Sequence, residues 1–357
     1  MFEHQLHRRR FLTRSALGGA AIGLGASVPR CFLQAAESAP GNNERVLVVV
    51  ELAGGNDGLN TVVPYSDDRY YAARPKLAIP RGDVLGIDDE FGLHPAMRGA
   101  RDLLEDGMLS VVHAVGYDNP NRSHFESMDI WHSCVRKDEP RQSGWLGRFL
   151  DNGSGMVGGD VPAIHLGNDQ QPFALTARSV RVPTVKKLEE FQLRGSDTQA
   201  LRSLLLDTDA PLDRSAENEL LRFLRSSTQN AVSASQRVTE ATSSYKTEID
   251  YPETRLSQEL KVVAQLINAG MMTQVYYVRL DGFDTHAQQP DSHAVLLRQW
   301  SESVSAFMRD MKSKGNHENV CVLTFSEFGR RVAENASSGT DHGAAGPMFL
   351  CGGSIRA

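Results

Sequence analysis

The chain has 357 residues, 40% of them apolar and 23% charged, and a formal net charge of -6. With a mean hydropathy of -0.34, this is the balance of a globular protein, which excludes collagenous, coiled-coil and wholly disordered chains. An acidic chain offers no electrostatic attraction to a nucleic-acid backbone, so no nucleic-acid partner is expected.

The first 36 residues read as an address. Arg8, Arg9 and Arg10 precede Phe11-Leu12, an uncharged Ala, Gly and Leu run follows from 15 to 28, and small residues surround Ala35-Ala36. This is the layout of a twin-arginine signal peptide, with the translocation machinery as partner and a periplasmic or secreted destination. Its apolar run is too short for a stable membrane span, although an uncleaved anchor is the alternative reading. The leader holds five arginines and one glutamate, so its removal takes the mature chain to -10.

Cys31, Cys134, Cys321 and Cys351 form no CxxC pair, so neither a disulfide framework nor a thiolate zinc site is indicated. From 44 to 357 the sequence predicts one α/β domain. Continuous apolar runs at 46–52, 109–115, 161–166, 274–280, 320–325 and 348–351 are of strand length and do not alternate, which suits a parallel sheet buried on both faces. Residues 291–314 space Val295, Leu296, Trp300, Val304, Phe307, Met308 and Met311 at helical steps. Strand, helix, strand reads as a right-handed crossover. The predicted architecture is a three-layer α/β sandwich with a mostly parallel central sheet. The stretch at about 177–260 is richer in Ser, Thr, Glu and Arg without clear strands, and is expected to be a mainly helical insertion.

In such a sheet, ligands bind beyond the carboxyl ends of the strands. There the chain gathers Gly54-Gly55-Asn56-Asp57-Gly58, Arg122-Ser123-His124-Phe125-Glu126, Asp281-Gly282-Phe283-Asp284-Thr285-His286, Ser326-Glu327-Phe328-Gly329-Arg330 and Asp341-His342-Gly343. Carboxylates with imidazoles suit a divalent ion such as Zn or Mn. Asp284 and His286, two apart, face the same way in an extended loop. Plainer readings stand beside these: the segment around Asp57 and the one around Asp341-His342 have ordinary turn chemistry. His94 and His124 are secondary candidates or helix-start residues. Glu327 at the end of a buried strand needs a partner, supplied by Arg330, Arg331 or a metal. Ser123-x-x-Glu126 fits a capping box, yet a serine at a helix start beside Arg122 also sits where an anion is favoured. There is no GxSxG, HExxH or GxxxxGK[ST] motif.

The leader and these five segments together resemble the exported bacterial family named domain of unknown function 1501, grouped with the alkaline-phosphatase-like fold of phosphatases, sulfatases and cofactor-independent phosphoglycerate mutase. The resemblance implies a two-metal site at the carboxyl edge of the sheet. Asp57 matches a metal-binding aspartate and Ser123 a nucleophile at a helix start, while Asp284, His286 and His342 match the ligands of one ion. Glu327 stands in the place of the aspartate of an Asp-His pair, and the histidine's place is taken by Phe328. Related chains continue past Ala357, so a shortened C-terminus is expected. The implied function is an exported hydrolase of phosphate or sulfate esters using one or two divalent ions, acting on a small anionic ester whose transferring group Arg122 or His124 neutralises. The alternative is a non-catalytic periplasmic binding or assembly protein on the same fold.

Overall fold

Strand β1 (Val46–Ala53) forms because its residues are β-branched or long aliphatics that fill both faces of a sheet, and Val48, Val49 and Val50 are fully buried. In the computed structural model, which describes residues 45–136, 138–154, 161–178, 180, 182–186 and 245–355, β1 is the middle strand of seven. The leader at 1–36 and residues 187–244 of the expected insertion lie outside the described residues.

After β1 come α1 (Gly58–Thr61), β2 (Val62–Val63), α2 (Asp68–Ala73), β3 (Leu85–Gly86), β4 (Gly92–Leu93), α3 (Arg98–Glu105), β5 (Leu109–Val115), α4 (His124–Ser133) and α5 (Trp145–Phe149). Then follow β6 (Ala163–Leu166), β7 (Thr184–Val185), α6 (Arg255–Asn268), β8 (Val275–Asp281), α7 (Gln289–Ser313), β9 (Val320–Phe325) and β10 (Gly346–Cys351). The large sheet has the order β5-β10-β9-β1-β8-β6-β7, and β2, β4 and β3 make a small separate sheet. Strand β1 pairs in parallel with β8 and β9, and β6 pairs in parallel with β8 and β7. Strand β10 is antiparallel to both of its neighbours, β9 and β5. The sheet is therefore mostly parallel, as the unbroken apolar runs predict.

Two apolar cores flank it. Val48, Val50 and Leu52 of β1 pack with Leu260, Val263 and Ala264 of α6 and Trp300, Val304, Phe307 and Met311 of α7. The other face joins Val49, Tyr277 and Phe325 to Leu146 and Leu150, with Met128 and Trp131 of α4 against them. Each fully buried Val, Leu or Phe contributes about 1.5–3 kcal/mol of transfer free energy, so this sandwich of side chains fixes which face each helix covers. Within α7, Trp300 donates from Nε1 to Thr324 Oγ1 of β9 at 3.0 Å, which satisfies the indole inside the core. Buried Asp310 accepts hydroxyl hydrogen bonds from Thr247 and Tyr251, both at 2.8 Å, and from Tyr245, and so clamps the segment before α6 onto α7.

Two expectations change. Val295, which the helical spacing puts on the apolar stripe of α7, is 48% exposed; the helix turns that position outward and buries Leu297 instead. Thr184–Val185, inside the stretch expected to lack strands, forms the edge strand beside β6. Two residues are too few to leave a readable apolar run. Among the described residues no helix is long and apolar enough to cross a membrane.

Candidate metal centre

Strands β1, β8 and β9 run in parallel, so the turns that follow them meet at one edge of the sheet. Gly54 (φ +115°) and Gly55 (φ +75°) let the first turn lie flat against its neighbours: a Cβ at Gly54 would collide with the backbone of Phe283 and Asp284, and one at Gly55 with the Phe328 ring. Arg330 knits the turns together. Its buried guanidinium donates to the carbonyl oxygens of Gly55 at 2.7 Å, Thr340 at 2.9 Å, Phe283 at 3.1 Å and Gly54, and to Asp284 Oδ1 at 2.7 Å.

Around Asp284 Oδ1 three imidazole nitrogens gather: His286 Nε2 at 3.1 Å, His342 Nε2 at 3.2 Å and His124 Nε2 at 3.4 Å. His286 Nε2 and His342 Nε2 are 2.9 Å apart. Behind each ring stands an acceptor. The Nδ1 of His342 lies 2.7 Å from the carbonyl oxygen of Arg122, that of His124 2.8 Å from Glu327 Oε1, and that of His286 3.4 Å from Asp341 Oδ1. A carbonyl oxygen only accepts, so His342 carries a proton on Nδ1 and turns its Nε2 toward Asp284. Buried His124 Nε2 makes no hydrogen bond.

These residues fit a divalent cation. Imidazoles whose Nδ1 is held from behind and whose Nε2 converges on a carboxylate oxygen are the usual metal-ligand arrangement. Tetrahedral bonds of about 2.0–2.1 Å place ligand atoms about 3.3 Å apart, close to the spacings around Asp284. Without a cation or proton between them, two facing lone pairs at 2.9 Å would repel. The donor atoms of His124, Asp284 and His342 lie within 4.8 Å of one another. The cluster opens to solvent, since the side chains of Asp284 and His286 keep 49% and 45% of their exposure. Burial pushes the Asp284 carboxyl up, but hydrogen bonds from Arg330 and His342 and the Arg330 charge outweigh it and hold the group at about 2. The carboxylate is thus ready to bind a cation at any ordinary pH. The hydrogen bond that His124 donates to Glu327 raises His124 above its usual value against the opposing effect of burial.

The remaining candidates stand elsewhere. Asp57, expected at a metal, is fully buried and meets Arg74 instead, with Nη1 to Oδ2 at 2.6 Å and Nη2 to Oδ1 at 2.9 Å. Gln289 Nε2 also donates to Asp57 Oδ2, at 2.5 Å. Burial raises this carboxyl, yet the charge and hydrogen bonds of Arg74 bring it below its ordinary value. Glu327, expected as a ligand, stands behind His124: Oε1 accepts from His124 and from Gly54 N–H at 2.9 Å, and Oε2 from Ser326 Oγ at 3.0 Å. Arg330, offered as its partner, pairs with Asp284. His124, expected to neutralise a transferring group, points into the cluster. Ser123 is exposed at the N-cap of α4, but its side chain makes no capping hydrogen bond. The expected capping box is not formed, because Ser123 N–H donates to Asn121 Oδ1 at 2.8 Å and Glu126 pairs with Arg141 at 2.5 Å. Arg122 is exposed beside Ser123, and its carbonyl oxygen is what holds His342. His94 is buried and accepts at Nδ1 from Ala96 N–H at 3.0 Å, a helix-start role.

Sequence reasoning missed Ser127, Trp131 and Arg74. Ser127 Oγ and Trp131 Nε1 both donate to the Glu327 carbonyl oxygen, at 2.6 and 2.7 Å, and dock α4, hence His124, against the β9 turn. Phe328 lies against the rings of His124 and His342, with centroids at 4.9 and 4.8 Å, and forms an apolar wall where the resemblance places a histidine. Arg74 follows α2 with nothing local to mark it.

The family described as "Protein of unknown function (DUF1501)" matches residues 44–357. No curated protein matches the chain. Among solved structures, it is similar to the C-terminal periplasmic domain of EcEptC from Escherichia coli, with 11% identity, a TM-score of 0.40, and coverage of 92% of this chain and 77% of that one. It is also similar to the PsFucS1 sulfatase from Pseudoalteromonas sp., with 10% identity, a TM-score of 0.35, and coverage of 88% and 63%. A third likeness is to the soluble domain of lipooligosaccharide phosphoethanolamine transferase A from Neisseria meningitidis, with 10% identity, a TM-score of 0.33, and coverage of 89% and 80%.

Proposed function

The chain belongs to the DUF1501 family, and from that premise and the geometry at Asp284 we propose that it is a divalent-cation-dependent hydrolase of phosphate or sulfate esters. The observation that carries the reading is the convergence of His124, His286 and His342 Nε2 on Asp284 Oδ1, with an acceptor behind each ring. These four residues would hold the ion, Zn or Mn by the chemistry of the donor set. When bound, it supplies a Lewis acid that polarises an ester oxygen and lowers the pKa of a bound hydroxyl or water.

The chain's own residues do the rest. Asp284 stays ionised, and Arg330 holds the turn that carries it in place. Ser123, exposed at the head of α4 next to His124, is the proposed nucleophile, and exposed Arg122 beside it would meet the anionic group of a small ester. Phe328 keeps one side of the cluster apolar, which strengthens electrostatic interactions there. We further propose that residues 1–36 direct export by the twin-arginine route to the periplasm or beyond, and that the stretch at about 177–260 is an insertion in a single domain spanning 44–357.

The test is turnover of 4-nitrophenyl phosphate, bis(4-nitrophenyl) phosphate and 4-nitrophenyl sulfate by the mature protein with added Zn²⁺ or Mn²⁺ and with chelator. Cation-dependent turnover that Asp284→Asn abolishes supports the proposal. The second reading, a binding or assembly protein that keeps the ion without hydrolysis, is favoured by the commitment of Asp57 and Glu327 to protein partners. Cation binding without turnover of any ester would select it.

A further inference from the structure

We infer that this chain builds a centre for one cation, not two, and that the guanidinium of Arg74 is the permanent counter-charge of the carboxylate a second ion would need. The inference rests on the proposed cation site at Asp284 and concerns its stoichiometry.

Both oxygens of Asp57 are engaged by buried protein donors. Arg74 Nη1 and Nη2 take one oxygen each, and Gln289 adds a third hydrogen bond to Oδ2. The guanidinium is equally committed. Beyond Asp57, Nη1 donates to Asn60 Oδ1 at 2.7 Å, Nη2 to the Arg331 carbonyl at 2.9 Å and Nε to the Val332 carbonyl at 2.8 Å, so all five N–H groups are used. Gln289 is locked from its other end, since its Oε1 accepts from Thr340 Oγ1 at 2.6 Å. Neither charged side chain of the pair has any exposure. A bidentate pair of opposite charges, sealed and fully hydrogen-bonded, is neutral as it stands. A divalent ion at Asp57 would have to expel Arg74 and leave a buried guanidinium without a counter-charge.

The other carboxylate in question is likewise held by protein groups. Glu327 Oε1 serves Gly54 N–H and His124, and Oε2 serves Ser326. Its neighbour Phe328 offers no donor atom and packs against the Gly55 turn. At this edge of the sheet, among the described residues, Asp284 is the carboxylate on which the Nε2 atoms of His124, His286 and His342 converge.

The experiment is native mass spectrometry with elemental analysis of the mature full-length protein after saturation with Zn²⁺ or Mn²⁺ and removal of excess. The expected result is one ion per chain. The double variant Asp57→Asn, Arg74→Gln, which removes both charges together, is expected to keep one ion with affinity within about threefold, whereas Asp284→Asn weakens binding more than the 10- to 100-fold loss typical of a supporting residue. Two ions on the wild type would overturn the inference and leave the proposed function standing. No ion on the wild type would overturn the cation site itself, and the inference with it. Should the double variant fail to fold, the wild-type stoichiometry still decides.

Discussion

The Nδ1 of His342 donates to the carbonyl oxygen of Arg122 at 2.7 Å, joining the loop before β10 to the segment that leads into α4. This hydrogen bond fixes both ring orientation and tautomer, so Nε2 faces Asp284 before any ligand arrives. His342→Asn keeps a polar side chain but loses that ligand. Cation affinity is expected to fall by at least about 100-fold, with little change in thermal stability of the cation-free protein, since the ring is at the solvent edge. Isothermal titration and a thermal melt in chelator check both halves.

Trp131 holds the same centre from further away. Its Nε1 and Ser127 Oγ share the Glu327 carbonyl, while its ring stacks on Phe325 with centroids 5.3 Å apart. Trp131→Phe keeps an aromatic ring for the stack and removes the donor. The expected result is a roughly 10-fold weaker cation affinity, as for other residues that orient a ligand from behind. An affinity equal to wild type would show that the stack alone positions α4.

Removing one partner of the Asp57–Arg74 pair leaves a buried, uncompensated guanidinium. Asp57→Asn is therefore expected to destabilise the fold by about 3–5 kcal/mol, and the double variant with Arg74→Gln by less. Urea unfolding in chelator measures both, free of any contribution from bound metal.

Buried histidines give the fold an acid sensitivity. Burial lowers His94, His165 and His293 to about 4 each, opposed by the Asp57 charge at His94 and His293 and by Asp169 at His165. A base whose folded pKa lies below its unfolded value of about 6.5 binds its proton in the unfolded chain first. The stability it contributes is complete above pH 6.5 and is lost as pH falls toward 4. Each histidine accounts for up to about 3 kcal/mol over that window. Urea unfolding of the cation-free protein between pH 7.5 and 4 is expected to show the decline, and His293→Gln to flatten it.

Much of the frame was legible in the chain. Strand β9 coincides with its apolar run, because burial removes the alternation that would blur it, and β5 coincides with its run although it is a partly exposed edge strand. Asp284, His286 and His342 were legible because carboxylates and imidazoles crowd the turns after strands. What escaped were long-range pairings without periodicity. Nothing near Arg74 says that it returns to Asp57, 17 residues earlier, rather than to solvent. The Ser123-x-x-Glu126 spacing fits a cap as well as an anion site, but Asn121 and Arg141 compete for the two ends of the cap more effectively. Glu327 at a buried strand end did demand a partner, and the partner proved to be His124 on a helix some 200 residues away in sequence.

The most direct measurement is anomalous diffraction at the zinc edge from crystals of the mature protein grown with Zn²⁺. The account predicts one peak per chain, bonded to Asp284 Oδ1 and to Nε2 of the histidines around it. A strong peak at Asp57, or none within reach of Asp284, would contradict it.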